Sequence, residues 1–560
     1  MAEVDFSKVR ETSFFGQVPT DKDPHMCGTN FIPCTPIMNF ETPHLNGSNL
    51  DQKITNLLNI DIKNGNHKGA FAIYGNVKDQ SQGFVGVGES AKGKPWTSAN
   101  IIRFASQSKL IGSIVLMKVL EEGLVSLSDP VSKYMPEFSR QLSYYDSSNN
   151  VVTGLDGNTI LVSNLASMST GLGYQWVDWG ATYGGLFFFY GPTAPAPFSS
   201  ANTLRFAAMN AKLRANGLFW DWDFDPTIYQ ASQASGFLLP SFKRFVDAVI
   251  SPDVPLLFKP GSNSTRDSVY GLDYDILGGV VNVAVKNAGY ASFWDYFTKK
   301  FLTPMSITSF SQIGNPVKPQ NLSSLIVKTA FRRPPGNLQP DGTQFAPDAD
   351  PAYLATQAGN LVWAADYNDG FRYNEVLPTT VVAEPDDYQG YFGSGFSGTP
   401  GDYCKFFELI VGNGIYRNIR LVDAQFMSML TNPTLPEFSS FGIARFNVFA
   451  SPNFNNFNSP IANPLAQGLF VVGYNEHWGF GNANGNTSLV DSLYQTNSMS
   501  KTVLRWGGYY GTNYYLDYST GNYVIAGIQE DANSLKTGTS GYNGWAGTIF
   551  GWLTSPSSCS

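Results

Sequence analysis

The stretch FASQSKLIGSIVLMKVLEEGLVSLSDPVSKYMPEF, residues 104–138, joins a candidate nucleophile to the start of a helix. Ser106 and Lys109 stand three residues apart at the point where an apolar pattern begins. Apolar side chains then recur at helical spacing, as at Leu110 and Ile114. The spacing predicts a helix that carries a serine and a lysine on one face of its first turn.

This pair has a chemical and a structural interpretation. A serine hydroxyl is a weak nucleophile until a base removes its proton, and Lys109 is within reach of Ser106. The positive end of the helix dipole and burial both disfavour a charged lysine, which favours a basic neutral amine. The N–H of Ser106 is also expected to face a developing oxyanion. Alternatively, the serine caps a helix and the lysine is solvated, and the tetrapeptide alone does not decide between them.

Composition limits the classes of partner. The chain has 560 residues, 42% of them hydrophobic, which is ample for a large core. Charged residues make up 14%, against about 25% in a typical globular protein, and aromatic residues also reach 14%. The net charge of −8 argues against nucleic acid and anionic membranes as partners. The low charge leaves homo-oligomerisation or a larger assembly open.

Metal sites and targeting segments are not indicated. The 4 histidines and 4 cysteines are scattered without zinc-site spacing, so we expect neither a metal nor an organic cofactor. The N-terminus lacks the basic and apolar regions of a secretory signal. No run of about 18 apolar residues occurs, so no membrane span is predicted and a cytoplasmic location is the default expectation.

The sequence divides into an extension, one large domain and a tail. Residues 1–50 are irregular and predict an N-terminal arm, residues 51–553 form the domain, and residues 554–560 are a tail. Two long insertions interrupt the domain, an aromatic one at about 174–240 and a Pro/Gly-rich one at about 315–390.

Strand patterns lie at both ends of this domain. GAFAIYGNV and QGFVGVGES, residues 69–77 and 82–90, predict two strands. TVLRWGGYYGTNYYLDY and YVIAGIQE, residues 502–518 and 523–530, predict further strands joined by a turn. Helical patterns fill the chain between them. This order predicts an α+β fold in which distant segments complete one sheet with helices packed on it.

The sequence around Ser106 resembles the serine β-lactamase-like family of class C β-lactamases, D,D-peptidases and family VIII carboxylesterases. In that family S-x-x-K precedes a helix and an L-x-D-P-V-x-K-Y-L-P-E-F segment, which LSDPVSKYMPEF resembles. TILVSNLASMSTGLGY is similar to the next family segment, with Asn164 in place of a histidine. Residues 255–281 and 393–414 match later segments in family order. The resemblance implies a β-lactamase/transpeptidase-like fold, with an antiparallel sheet flanked by helices and an all-helical subdomain.

The resemblance also implies catalytic roles. Ser106 would be the nucleophile, with Lys109 and a tyrosine as the base. The Y-x-x-x-x-D-x-L-G spacing of the family assigns that tyrosine to Tyr270 and its aligned acid to Asp275. Tyr274 is a competing candidate, but it breaks the spacing to the acid and suits a packed helix position.

The residues that would contact substrate depart from the β-lactamase pattern. Leu272 replaces an asparagine that holds the substrate amide, and a leucine cannot donate that hydrogen bond. A literal K-T-G at residues 536–538 lies in a loop after the last strand pattern. The family's third motif belongs on an edge strand, which favours the W-G-G variant at Trp506, Gly507 and Gly508. In this register the N–H of the next residue, Tyr509, would be the second oxyanion donor.

Together these departures predict a carboxylesterase-like serine hydrolase. A tryptophan in place of the family lysine removes the charge that attracts a penicillin carboxylate and offers an apolar wall. We therefore expect a small-molecule acyl ester or amide as substrate and an acyl-enzyme on Ser106. Two alternatives remain: a non-catalytic assembly protein with this fold, and a penicillin-binding protein of the D,D-peptidase type.

Overall fold

The computed structural model describes most of the predicted domain. The described residues are 48–146, 148–166, 168, 170–173, 204–205, 208–209, 211–213, 215–216, 238–239, 241–260, 271–312, 327, 330–332, 361–363, 382–383, 388, 390–431, 473–474, 503–508, 510–530 and 541–554. They all belong to one compact unit, His44–Ser560. Residues 1–47 of the predicted N-terminal arm and most of both predicted insertions lie outside the described residues, so these assignments stay predictions; the first helix begins at Ser48, three residues before the predicted domain boundary.

Helices and strands alternate irregularly along the described chain. Its helices are α1 (Ser48–Lys63), α2 (Ser108–Glu121), α3 (Val162–Ala166), α4 (Phe242–Val249), α5 (Asp273–Asn287), α6 (Phe293–Phe297), α7 (Pro400–Val411), α8 (Ala424–Thr431) and α9 (Gly541–Thr554). Its strands are β1 (Gly69–Asn76), β2 (Ser81–Ala91), β3 (Lys94–Pro95), β4 (Ile102–Arg103), β5 (Gln141–Tyr145), β6 (Val151–Asp156), β7 (Leu238–Leu239), β8 (Ser311–Gln312), β9 (Ala330–Arg332), β10 (Leu361–Trp363), β11 (Val382–Ala383), β12 (Phe396–Gly398), β13 (Ile415–Tyr416), β14 (Ile419–Arg420), β15 (Gly473–Tyr474), β16 (Val503–Gly508), β17 (Thr512–Asp517) and β18 (Asn522–Gly527).

The main sheet joins the two ends of the domain, as the sequence predicts. Its seven strands run in the order β15-β16-β17-β18-β1-β2-β3. Every neighbouring pair is antiparallel. β1 pairs with β18 in the register Phe71↔Gly527 to Asn76↔Asn522. The α+β architecture is therefore confirmed.

Both faces of this sheet are covered, because side chains alternate along each strand. Ala72 and Tyr74 of β1 pack on one face with the flanking helices α1 and α9. Phe71 and Ile73 of the same strand belong to the large core on the other face. The helices α2 and α5 lie within that core and contact each other. This layering explains why the β1 sequence is apolar at consecutive positions rather than at alternate ones.

Helix α2 lies in the middle of the large core. Its residues from Ser108 to Met117 are all buried, so the apolar pattern of the sequence covers the whole circumference of the helix. It packs against α5 and α8. Gly123 follows its end with a φ of 68°, a left-handed conformation that glycine adopts without strain. No described helix has the length and apolarity to cross a bilayer.

Candidate active site

Ser106 lies in a 3₁₀ turn, Ala105–Gln107, directly before α2. The expected α-helical turn is therefore replaced by a tighter one, because the chain is still held by a small sheet at this point. Strand β4 pairs with β12, and the Phe104 N–H then donates to the Phe396 carbonyl at 3.0 Å. The Phe396 N–H donates in turn to Ser108 Oγ at 3.1 Å. These bonds fix the turn from one side.

A second contact and a strained residue complete the turn. Tyr403 of α7 donates its hydroxyl to the Gln107 carbonyl at 2.9 Å. Ala105 has a φ of 47°, a left-handed conformation that a residue with a Cβ adopts rarely. Strained backbone of this kind is concentrated at functional sites. Ser106 is half-buried between fully buried neighbours, so the turn presents this one side chain outward.

Lys109 is fully buried, which excludes the solvated-lysine interpretation of the tetrapeptide. Its Nζ donates to Ser106 Oγ at 3.3 Å and to the Gly393 carbonyl at 2.7 Å. Burial lowers the pKa of Lys109 to about 7, while the nearby charges of Asp275 and Asp273 act in the opposite direction. A lysine amine that is partly neutral at pH 7 lies within reach of the serine, which is the arrangement a general base requires.

Asp275 is linked to Lys109 through Gly393. The Gly393 N–H donates to Asp275 Oδ1 at 2.8 Å, while its carbonyl accepts from Lys109. A Cβ on Gly393 would lie 2.2 Å from Asp275 Oδ2, so any larger residue would have to displace this carboxylate. Burial raises the pKa of Asp275, and the Lys109 cation and the Gly393 N–H oppose that rise. The sequence marks Asp275 as an aligned acid and Gly393 as part of a matched segment, yet it assigns neither a role.

The end of β16 lies beside the nucleophile turn. A Cβ on Gly508 would lie 2.5 Å from the Phe104 carbonyl oxygen, two residues before Ser106. The chain therefore brings the W-G-G segment to the serine, as the resemblance implies. Trp506 packs against the large core, and Gly507 is half-buried.

The expectation that β16 is the edge strand is wrong. Strand β15 pairs outside it, with Gly473 and Tyr474 opposite Arg505 and Leu504. A two-residue strand carries too little pattern to be predicted. Within the described sheet, β15 covers only the first half of β16, and the stretch from Trp506 onward extends past that pairing.

The structure shows the contacts of three other positions that the sequence singles out. Leu272 is fully buried in the large core at the N-cap of α5, so its contact with a substrate stays a prediction. Tyr274 is fully buried and lies 3.0 Å from Ser113 Oγ, which confirms it as a packed helix residue. Asn164 accepts the Leu161 N–H at 2.8 Å through its side chain, where it caps α3.

Two predicted site residues, Tyr270 and Tyr509, lie outside the described residues. Their roles as proton shuttle and oxyanion donor stay predictions. The same holds for the literal K-T-G at residues 536–538. Among the described residues, the site thus consists of the serine, its buried lysine, the acid behind it and the glycine-rich strand end.

The described domain has an antiparallel sheet closed by its two ends and an S-x-x-K sequence before a buried helix, the arrangement that the resemblance to the serine β-lactamase-like family implies. Residues 50–218 match the family model described as Beta-lactamase.

Relatives and solved structures extend this comparison. Over 75 residues the chain is 35% identical to the acyltransferase calJ of Penicillium decumbens, a stretch that is 13% of this chain and 18% of that protein. The chain spans less than a fifth of the length of the curated relatives it matches.

Two solved structures share the fold over most of the chain. Unliganded simvastatin synthase (LovD) from Aspergillus terreus has a TM-score of 0.52 at 16% identity, covering 89% of this chain and 96% of that one. EstCE1, described as a hydrolase with promiscuous acyltransferase activity, has a TM-score of 0.51 at 14% identity, covering 90% and 98%. These likenesses confirm the β-lactamase/transpeptidase-like fold.

Proposed function

We propose that the chain is a carboxylesterase-like serine hydrolase that cleaves acyl esters or small amides through an acyl-enzyme on Ser106. The observation that supports this most is the 3.3 Å contact between Ser106 Oγ and the Nζ of a fully buried lysine. Because burial lowers the pKa of Lys109 to about 7, much of this side chain is a neutral amine at neutral pH. A lysine that followed a simple helix cap would have neither property.

The proposed reaction has two steps. Lys109, together with Tyr270, accepts the proton of Ser106 Oγ as the oxygen attacks the substrate carbonyl carbon. A bond from Oγ to that carbon forms, the bond to the alcohol or amine breaks, and the departing group takes up the proton. Water then attacks the acyl-enzyme, which releases a carboxylic acid and returns a proton to the serine. The N–H groups of Ser106 and Tyr509 are the proposed donors to the tetrahedral anion.

The substrate class follows from two side chains. Trp506 stands where β-lactamases have a lysine, and it offers an apolar wall and no charge to a substrate carboxylate. Leu272 stands where they have an asparagine, and it cannot donate a hydrogen bond to a substrate amide. Neutral, fairly apolar acyl esters are therefore favoured over penicillins and peptides.

Acyl transfer to an alcohol is the second candidate. The relative calJ is named an acyltransferase, and EstCE1 is described as a hydrolase with promiscuous acyltransferase activity. The same acyl-enzyme serves both reactions, and they differ only in whether water or an alcohol attacks it. The ratio of acid to transferred ester, measured with rising concentrations of an added alcohol, separates the two.

Labelling tests the proposal. Wild-type protein, Ser106→Ala and the control Ser128→Ala, a change at an exposed serine, are treated with a fluorophosphonate and with p-nitrophenyl butyrate. We expect one adduct per chain in the wild type and the control, mapped to Ser106 by peptide mass spectrometry. Neither an adduct nor ester cleavage is expected in Ser106→Ala.

Two outcomes would replace the proposal. A wild-type protein that neither labels nor cleaves the ester, and that behaves like Ser106→Ala, would identify a non-catalytic member of the fold. Stable acylation by a fluorescent penicillin without ester turnover would identify a penicillin-binding protein instead.

A further inference from the structure

We propose that Asp275 and Gly393 are the positioning pair for Lys109: the Gly393 carbonyl orients its amine toward Ser106, and the Asp275 carboxylate holds Gly393 and balances the lysine charge. This inference rests on the proposed function, because it assigns the residues that set the base of that same site.

The backbone of Gly393 is hydrogen-bonded to both Lys109 and Asp275. Its carbonyl accepts a hydrogen from Lys109 Nζ at 2.7 Å, and its N–H donates to Asp275 Oδ1 at 2.8 Å. A neutral amine has two hydrogens and one lone pair. When one hydrogen is bound by Gly393, rotation of the amine is restricted, and the lone pair can be presented to the Ser106 hydroxyl 3.3 Å away.

The carboxylate and the glycine are packed directly against each other. A Cβ on Gly393 would lie 2.2 Å from Asp275 Oδ2 and 2.6 Å from its Cγ. Any side chain here would push the carboxylate away from its place. A larger residue at position 393 would therefore have to displace the carboxylate, and the carbonyl that binds Lys109 is held in place by the side chain behind it.

The charges of the two buried carboxylates are compensated differently. Asp273 and Asp275 are both fully buried in the first turn of α5. Asp273 accepts a hydrogen bond from Thr170 at 2.6 Å, and the Arg205 cation stabilises its charge. The cation that stabilises the charge of Asp275 is Lys109. The Oδ2 atoms of both carboxylates are buried and have no hydrogen-bond partner within the described part of the chain, so the two differ in their cation and in the partner of Oδ1.

The titratable groups around the lysine support this assignment. Among the described residues, the charges that act on Lys109 are Asp275 first and Asp273 second, and both come from α5. Tyr274, on the same helix, contacts Ser113 one turn further along α2. The loop 391–395 contributes the Gly393 carbonyl, and the turn before α2 contributes the Ser106 hydroxyl. The anion at Asp275 is thus the main charge that favours the protonated lysine.

The test is the pH profile of Ser106 labelling by a fluorophosphonate in Asp275→Asn, with Asp273→Asn as matched control. Asparagine retains an oxygen that accepts the Gly393 or Thr170 hydrogen, so each variant loses charge and keeps its bond. Loss of the nearby anion lowers the pKa of Lys109 and moves the acid limb of the profile down by about one pH unit or more. At pH 6 the rate, as a fraction of its own plateau, rises about fivefold in Asp275→Asn and less in Asp273→Asn.

The outcomes are distinguishable from failure of the proposed function. If the wild type does not label at any pH, the proposed function fails. If the wild type labels and Asp275→Asn has an unmoved acid limb, or one displaced no further than that of Asp273→Asn, the inference is overturned. A merely structural role would lower the plateau without displacing the limb.

A second variant keeps the inference testable if Asp275→Asn does not fold. Gly393→Ala displaces the carboxylate and the carbonyl together, so we expect the labelling rate to fall at least about tenfold at every pH. Gly157→Ala is its control, because a Cβ there would lie 2.1 Å from the Phe138 carbonyl, away from the site. Equal labelling rates in these two variants would contradict the role of Gly393.

Discussion

Replacing Lys109 by arginine keeps a cation and removes the base. Burial lowers the pKa of Lys109 to about 7, which makes the neutral amine accessible near neutral pH. An arginine has a pKa above about 12, which leaves roughly one molecule in 100,000 neutral. A general base is worth about 10²–10⁴ in rate, so we expect Ser106 labelling in Lys109→Arg to fall at least about a hundredfold.

The assay is the second-order rate of fluorophosphonate labelling, followed by intact mass. Lys405→Arg, on α7, is the matched control, because its Nζ bonds only the Ser306 carbonyl and a neighbouring carboxylate among the described contacts. It should label at the wild-type rate. Lys109→Met has no side-chain amine. It should label as slowly as Lys109→Arg if the neutral amine of Lys109 is the base.

The wild-type pH profile belongs to the same prediction. Activity requires the neutral amine, so the rate should rise as the pH passes through about 7 and then reach a plateau. Labelling of folded Lys109→Arg or Lys109→Met within about tenfold of the wild type would refute the reasoning.

Three further substitutions test the residues around Ser106 and Lys109. Tyr274→Phe should label within about threefold of the wild type while losing about 1 kcal/mol of stability in urea unfolding, because its hydroxyl bonds Ser113 in the buried core. A hundredfold loss would make Tyr274 the shuttle. Gly508→Ala should label at least about tenfold more slowly, because its Cβ would meet the Phe104 carbonyl at 2.5 Å and displace the nucleophile turn; an unchanged rate would separate the strand end from the site. Trp506→Lys restores the cation of the β-lactamase pattern and should raise acylation by a fluorescent penicillin several-fold in gel fluorescence, and no rise would disconnect Trp506 from the choice of substrate.

Local patterns predict the parts of this fold that depend on neighbours in sequence. The helix after Ser106 and the strands at both ends of the domain follow from apolar spacing. The 3₁₀ turn at Ser106 does not follow from apolar spacing, because it depends on hydrogen bonds from a distant residue, Phe396. Phe396 lies 288 positions after its partner Ser108. The short β15 beside β16 has the same origin in long-range pairing.

The same limit applies to the site. The S-x-x-K spacing predicts the contact between Ser106 and Lys109, since both lie on one turn. The carbonyl that binds Lys109 comes from a residue 284 positions away, and its partner Asp275 lies 118 positions before that residue. No spacing rule reaches across such distances. Burial of the lysine is likewise a property of the assembled core, although it decides whether the amine is a base.

Acylation of Ser106 is the central claim, and its most direct test is the mass of the protein itself. Wild-type protein is mixed briefly with p-nitrophenyl butyrate, quenched in acid and weighed intact, with Ser106→Ala treated in parallel. The account predicts a butyryl adduct on the wild type alone, mapped to the peptide that carries Ser106. Ester cleavage in the wild type without an adduct on Ser106, or an equal adduct on Ser106→Ala, would contradict it.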